Sequence, residues 1–147
     1  MNKMTAAETA WVAGVFEGEG TFTYRTYSGT GRNQITLRIV MTDLDVIERL
    51  HTLTGVGNLY GPYTSKQLKQ DGTKRKFSYH WAITTQSDVI ALGNALYPWL
   101  GERRKAKFLE VKKYYEEGKQ FATKANGKWK GPQRGNDEHN NDTTTTG

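Results

Sequence analysis

The sequence predicts an α+β domain of order αββαββαα, with a curved four-stranded sheet, antiparallel or mixed, carrying its helices on one face. Two observations predict it. Alternating segments come in pairs, 21–28 with 33–42 and a strand near 57–63 with 77–84, and each pair follows a helical stretch. The alternation in 21–28, 33–42 and 77–84 also leaves each hairpin with a polar face, so the sheet needs cover on one face only.

The first helix opens on Thr5-Ala6-Ala7-Glu8, a capping box with Thr5 as N-cap and Glu8 three residues on. It runs to about Gly18, with Gly20 as its stop. In 21–28, Phe22 and Tyr24 point one way and Thr21, Thr23, Arg25 and Tyr27 the other. Gly29-Thr30-Gly31 turns the chain into 33–42, where Ile35, Leu37, Ile39 and Met41 oppose Gln34, Thr36, Arg38 and Val40. Asp43 caps a second helix with Leu44, Ile47, Leu50 and Leu53 at spacing three, closed by Gly55-Val56-Gly57. After the strand near 57–63 comes a basic loop holding Lys66, Lys69, Lys74, Arg75 and Lys76. In 77–84, Phe77, Tyr79, Trp81 and Ile83 alternate with Ser78, His80, Ala82 and Thr84. A third helix starts at Ser87 or Asp88 and closes at Pro98, and a charged fourth spans 101–117. From Gly118 apolar residues thin out and the chain ends in a threonine run. The division is thus a domain over 5–117 and a basic, flexible tail over 118–147.

At 147 residues the chain suits one domain with a real core. Its net charge of +6 favours a polyanionic partner. Zero cysteines exclude disulfides, thiol catalysis and cysteine-ligated zinc. His51, His80 and His139 are too scattered for a zinc site. No apolar run is long enough to cross a bilayer, so no membrane partner is expected, and no signal-peptide core follows the N-terminus. The expectation is a cytoplasmic protein.

The chemistry concentrates in Trp11-Val12-Ala13-Gly14-Val15-Phe16-Glu17-Gly18-Glu19-Gly20. Ala6, Ala10, Gly14 and Gly18 recur at spacing four, a stripe of small residues that lets two helix backbones approach closely. Glu17 and Glu19 lie at the helix C-terminus, where the macrodipole disfavours acids. They are either solvated acids at a frayed end or ligands of a cation.

This stretch resembles the LAGLIDADG motif in a Gly-Glu-Gly variant. Ala13, Gly14 and Gly20 match in identity, and Glu17 and Glu19 stand where the motif name has aspartates. The resemblance covers roughly 8–115, and the family order αββαββα, motif on the first helix, is the one read above. It implies a DNA endonuclease that uses Mg²⁺, or another divalent cation such as Mn²⁺, to hydrolyse both strands of a long pseudo-palindromic duplex. It implies Glu19 as metal ligand, assisted by the Gly18 carbonyl, with Glu17 either structural or at the metal. One motif copy implies a homodimer whose seam holds Ala10, Ala13, Gly14, Glu17 and Gly18. The family places a basic residue soon after a Pro–aromatic–Leu segment. Here Pro98-Trp99-Leu100 precedes Arg103, the first choice, and Lys105, the second. Asp43 aligns with a polar active-site position, or is simply an N-cap.

The implied DNA-reading face is Thr21, Thr23, Arg25, Tyr27, Gln34, Thr36, Arg38 and Val40. Ser78, His80 and the loop cations Lys66, Lys69, Lys74, Arg75 and Lys76 extend it. Arginine reads guanine and glutamine reads adenine. Against this stand plainer readings: a solvated hairpin tip for Lys66–Lys76, an exposed helix face for Arg103–Lys107, and core packing for Tyr24, Tyr79 and Trp81. The competing function is a non-cutting nucleic-acid binder on the same fold, an intron RNA maturase or a transcriptional regulator. The host is expected to be a prokaryote or phage, with an organelle as the alternative.

Overall fold

The computed structural model describes residues 1–27, 32–64, 69–73 and 76–125, with side chains to Gly118. The elements are α1 (Ala6–Glu19), β1 (Gly20–Tyr27), β2 (Arg32–Met41), α2 (Leu44–Thr54), β3 (Asn58–Tyr63), β4 (Ser78–Ile83), α3 (Gln86–Leu96), a 3₁₀ turn (Tyr97–Trp99) and α4 (Glu102–Ala125). This is the expected order. The strands lie β1-β2-β4-β3, and every pairing is antiparallel, which settles the choice between antiparallel and mixed.

Local chemistry explains each element. The Thr5 hydroxyl accepts from the Glu8 amide at 3.1 Å and the Glu8 carboxylate accepts from the Thr5 amide at 3.2 Å, so the capping box forms as read. α2 ends on Gly55 in the left-handed region at φ 66, where the amide caps the His51 carbonyl. In α2 the buried stripe is Ile47, Leu50 and Thr54, while Leu44 stays exposed. Thr54 returns its hydroxyl to the Leu50 carbonyl at 2.8 Å, which makes a buried polar side chain affordable.

All four helices cover one face of the sheet. That face buries Phe22, Ile35, Leu37, Ile39, Trp81 and Ile83 against Val12, Phe16, Ile47, Leu50, Val89, Leu92, Leu96, Phe108 and Val111. Trp81, fully buried, donates its indole N–H to the Val56 carbonyl at 2.9 Å. Phe16, Phe22, Phe108 and Tyr97 form a chain of ring contacts with centroids 4.7, 5.4 and 6.0 Å apart, which ties α1, β1, α4 and the 3₁₀ turn together.

Three expectations change. Phe77 lies outside β4 and is exposed, so the inward side of that strand is Trp81 and Ile83 with half-buried Tyr79. Tyr24 keeps 38% exposure because α4 covers it only in part. Its ring stacks on Tyr114 at 4.5 Å, and its hydroxyl donates to Glu110 at 2.5 Å, which raises the Tyr24 pKa and lowers that of Glu110. Finally, α4 does not stop at 117 but continues through Gly118 to Ala125. A Cβ on Gly118 would sit 3.3 Å from the Asn33 side chain, so this glycine marks a close approach of α4 to β2.

Gly20 also acts through space. It closes α1 with φ −80 and ψ 152, a conformation open to any residue, but a Cβ there would run into the Phe16 ring. Gly20→Ala therefore overpacks the junction between α1 and β1, with an expected loss of about 1–3 kcal/mol. Urea unfolding measures it, and an unchanged midpoint would mean that the ring moves aside freely.

Candidate metal centre and nucleic-acid interface

Exposure alternates from the end of α1 into β1. Glu19 is exposed, Gly20 buried, Thr21 exposed, Phe22 buried and Thr23 exposed. Glu19 is the last residue of α1, where Glu17 and Gly18 are exposed as well, and the polar face of β1 begins two residues on at Thr21. Among the described residues, Glu19 makes no hydrogen bond or ion pair, and the last turn of α1 holds no basic residue. No group of three or more His, Asp or Glu side chains gathers among the described residues.

Glu17 has a different task. Its carboxylate accepts from the Gly101 amide at 3.1 Å, and its carbonyl accepts from Arg104 Nε at 3.3 Å and NH2 at 3.0 Å. Arg104 also lies over the Phe16 ring, 5.5 Å from its centroid. α1 and the start of α4 are therefore clamped in both directions. The guanidinium supplies, from another element, the positive charge that the helix end lacks. The Gly20 amide caps Phe16 and Arg104 caps Glu17, and neither cap falls on the Gly18 carbonyl.

The sequence singled out Arg103 and then Lys105 to steer phosphate or water and gave Arg104, between them, no structural role. Arg103 is exposed, and Lys105 pairs with Glu102 at 3.8 Å and lies over the Tyr97 ring at 5.4 Å. The signal was available: Arg104 is four residues before Phe108 and seven before Val111, both buried, so it belongs to the inward stripe of α4. Arg104→Ala exchanges two guanidinium hydrogen bonds to the exposed Glu17 carbonyl for water and uncovers the Phe16 ring, and is expected to cost about 1 kcal/mol, read as a lower thermal midpoint. An unaltered midpoint would show the clamp to be idle. Asp43 stands at the N-cap of α2, exposed, and makes no side-chain cap hydrogen bond.

The sheet face assembles as expected. Across β1 and β2 the rungs are Thr21–Arg38, Thr23–Thr36, Arg25–Gln34 and Tyr27–Arg32. Arg38 next meets Ala82, and Val40 meets His80, which pairs in turn with Tyr60. Thr21, Thr23, Arg25, Tyr27 and Arg38 are exposed, and Gln34, Thr36, Val40, Ser78 and His80 are half-buried. The Thr23 and Thr36 hydroxyls share one hydrogen bond at 2.5 Å. His80 contacts the Tyr63 ring at 4.7 Å, and burial, then the Arg38 charge, lower its pKa and so favour the neutral imidazole. Tyr60 joins this face through its rung partner His80, and Arg32 continues the alternation of Gln34, Thr36 and Arg38, since β2 begins at 32 and not at 33. Lys69 and Lys76 are exposed, whereas Lys66, Lys74 and Arg75 lie outside the described residues.

The expected seam divides. Gly14 and Gly18 are exposed, and a Cβ on either would meet nothing within 4 Å. Ala10, half-buried, continues that stripe. Ala13 does not: it is 1% exposed and belongs to the core of the protomer. The Glu17 carboxylate likewise turns to Gly101 of its own chain. α1 is therefore apolar on two sides, one packed on the sheet and one open.

No protein-family model matches the sequence, and no curated protein matches it. Solved structures do match by shape. I-CvuI in complex with its target aligns with a TM-score of 0.55 at 13% identity, over 75% of this chain and 67% of that one. The archaeal intron-encoded I-Vdi141I complexed with DNA gives 0.53 at 15%, over 80% and 70%. I-SmaMI, a LAGLIDADG homing endonuclease bound to cleaved DNA, gives 0.57 at 16%. The chain has the LAGLIDADG homing endonuclease fold. At these identities the likeness is one of fold. Within the LAGLIDADG fold the chain accounts for most of I-CvuI and I-Vdi141I, but for only 39% of I-SmaMI while using 81% of itself.

Proposed function

We propose that this chain is a site-specific double-strand DNA endonuclease that acts as a homodimer with a divalent cation. The observation that carries the reading is the junction of α1 and β1: an exposed, unpartnered Glu19 carboxylate stands two residues before Thr21, where the polar strand face of Thr21, Thr23 and Arg25 begins. The fold likeness to proteins solved with DNA supports the same reading.

The donor chemistry suits a hard cation. The Glu19 carboxylate and the Gly18 carbonyl offer oxygen ligands, and Mg²⁺ takes few protein ligands and fills its shell with water and phosphate oxygen. When bound, the ion supplies Lewis-acid stabilisation of charge on the scissile phosphodiester. The chain's own contribution is positional. Arg104 and Glu17 hold the end of α1 against α4, and the sheet rungs hold the duplex in register through base-edge and phosphate contacts. The open stripe of Ala10, Gly14 and Gly18 receives the same stripe of a second copy, which brings two Glu19 side chains to one symmetry axis. Lys69, Lys76 and the net charge of +6 add salt-dependent attraction to phosphate.

The test is incubation of the purified protein with DNA from its own genetic neighbourhood, with and without Mg²⁺ or Mn²⁺. Staggered double-strand cuts that require the metal are the expected result. Tight binding with no cut in any divalent metal would replace this reading with a non-cutting binder, and intron RNA would be the next ligand to assay. A monomer at micromolar concentration that still cuts both strands would remove the dimer.

A further inference from the structure

Arg25, Tyr27 and Gln34 form one bonded unit on the polar sheet face. Arg25 and Gln34 are cross-strand partners. Arg25 NH2 donates to the Tyr27 hydroxyl, and its guanidinium lies over the Tyr27 ring, 4.2 Å from the centroid. The Tyr27 hydroxyl donates in turn to Gln34 Oε1 at 2.6 Å. The proton count closes: a phenol has one proton, and because its oxygen accepts from Arg25, that proton is available to the amide oxygen.

This bonding decides what the unit presents to a base. Arg25 has donors only. Gln34 has its oxygen turned toward the phenol, where one of its two lone pairs accepts, so the amide NH₂ is the group it has wholly free for a base. Glutamine reads adenine by donating to N7 while accepting from the N6 amino group, and that needs oxygen and nitrogen facing the base together. A guanine edge carries two acceptors, O6 and N7, and the guanidinium and amide donors of the unit are complementary to it. Stacking on Tyr27 also holds Arg25 in place before contact, which lowers the entropy lost on binding.

We propose that the Arg25–Tyr27–Gln34 unit reads guanine in the major groove of each half-site, and that Tyr27 is the specificity-determining residue that keeps Gln34 from reading adenine. The inference rests on the sheet being the DNA-binding face, and it reverses the expectation that Gln34 selects adenine.

The experiment is selection from randomised duplex DNA without divalent metal, followed by sequencing of the bound fraction, for the unaltered protein and for Arg25→Ala, Gln34→Ala and Tyr27→Phe. The unaltered protein is expected to enrich guanine at the positions that Arg25→Ala and Gln34→Ala relax, each by on the order of tenfold. Tyr27→Phe keeps the ring under Arg25 but releases the Gln34 oxygen, so the Gln34-dependent position should turn from guanine to adenine. Adenine at that position in the unaltered protein overturns the proposal and leaves the DNA-binding reading intact. Retention of guanine there in Tyr27→Phe does the same. Failure to enrich any sequence overturns the DNA-binding reading as well.

Discussion

Glu19→Gln is expected to abolish cleavage while duplex binding stays nearly unchanged. The substitution keeps size and hydrogen-bonding capacity but removes the charge that would hold a divalent ion. Losing several kcal/mol of transition-state stabilisation corresponds to a rate loss on the order of a thousandfold or more. Folding predicts a second, opposite signature. Glu19 ends α1 with no cationic partner, so neutralising it relieves an unfavourable interaction with the helix dipole. Activity should collapse while the thermal midpoint holds or rises slightly. A cleavage assay and a melting curve on the same preparation check both. A variant that cuts at the ordinary rate would remove Glu19 from the metal centre.

Gly14→Leu has the next largest expected effect, and it separates the dimer from the fold. Within the protomer a Cβ at Gly14 meets nothing within 4 Å, so the larger side chain finds open space and gains helix propensity of about 0.8 kcal/mol. Across a close helix–helix seam the same side chain forces the backbones apart. The protein should therefore fold at least as stably, sediment as a monomer and lose double-strand cutting. A dimer of unchanged affinity would place the seam elsewhere.

The parts of this molecule that were legible in the sequence rest on local chemistry. The capping box needs only Thr5 and Glu8, and the polar sheet face needs only alternation in β1, β2 and β4. What was not legible depends on how elements meet. Gly118 reads as a helix stop by composition, yet it lies inside α4, where Asn33 crowds it. Ala13 shares the small size of Ala10, Gly14 and Gly18 but belongs to the core, a difference set by helix phase. The structural role of Arg104 was hidden because Arg103 and Lys105 flank it with the same charge. Only the inward phase of Phe108 and Val111 tells them apart.

If the sheet face reads DNA as proposed, the shared hydrogen bond of Thr23 and Thr36 bears on how that surface would change its target. Each hydroxyl is committed to the opposite strand, so replacing one strands the other on a surface that has lost its mate. The heritable unit of recognition is then the cross-strand couple. Retargeting by single substitutions should stall at intermediates that read neither the old base nor the new one. Libraries that vary both members of a couple together would reach altered targets that one-at-a-time scans overlook.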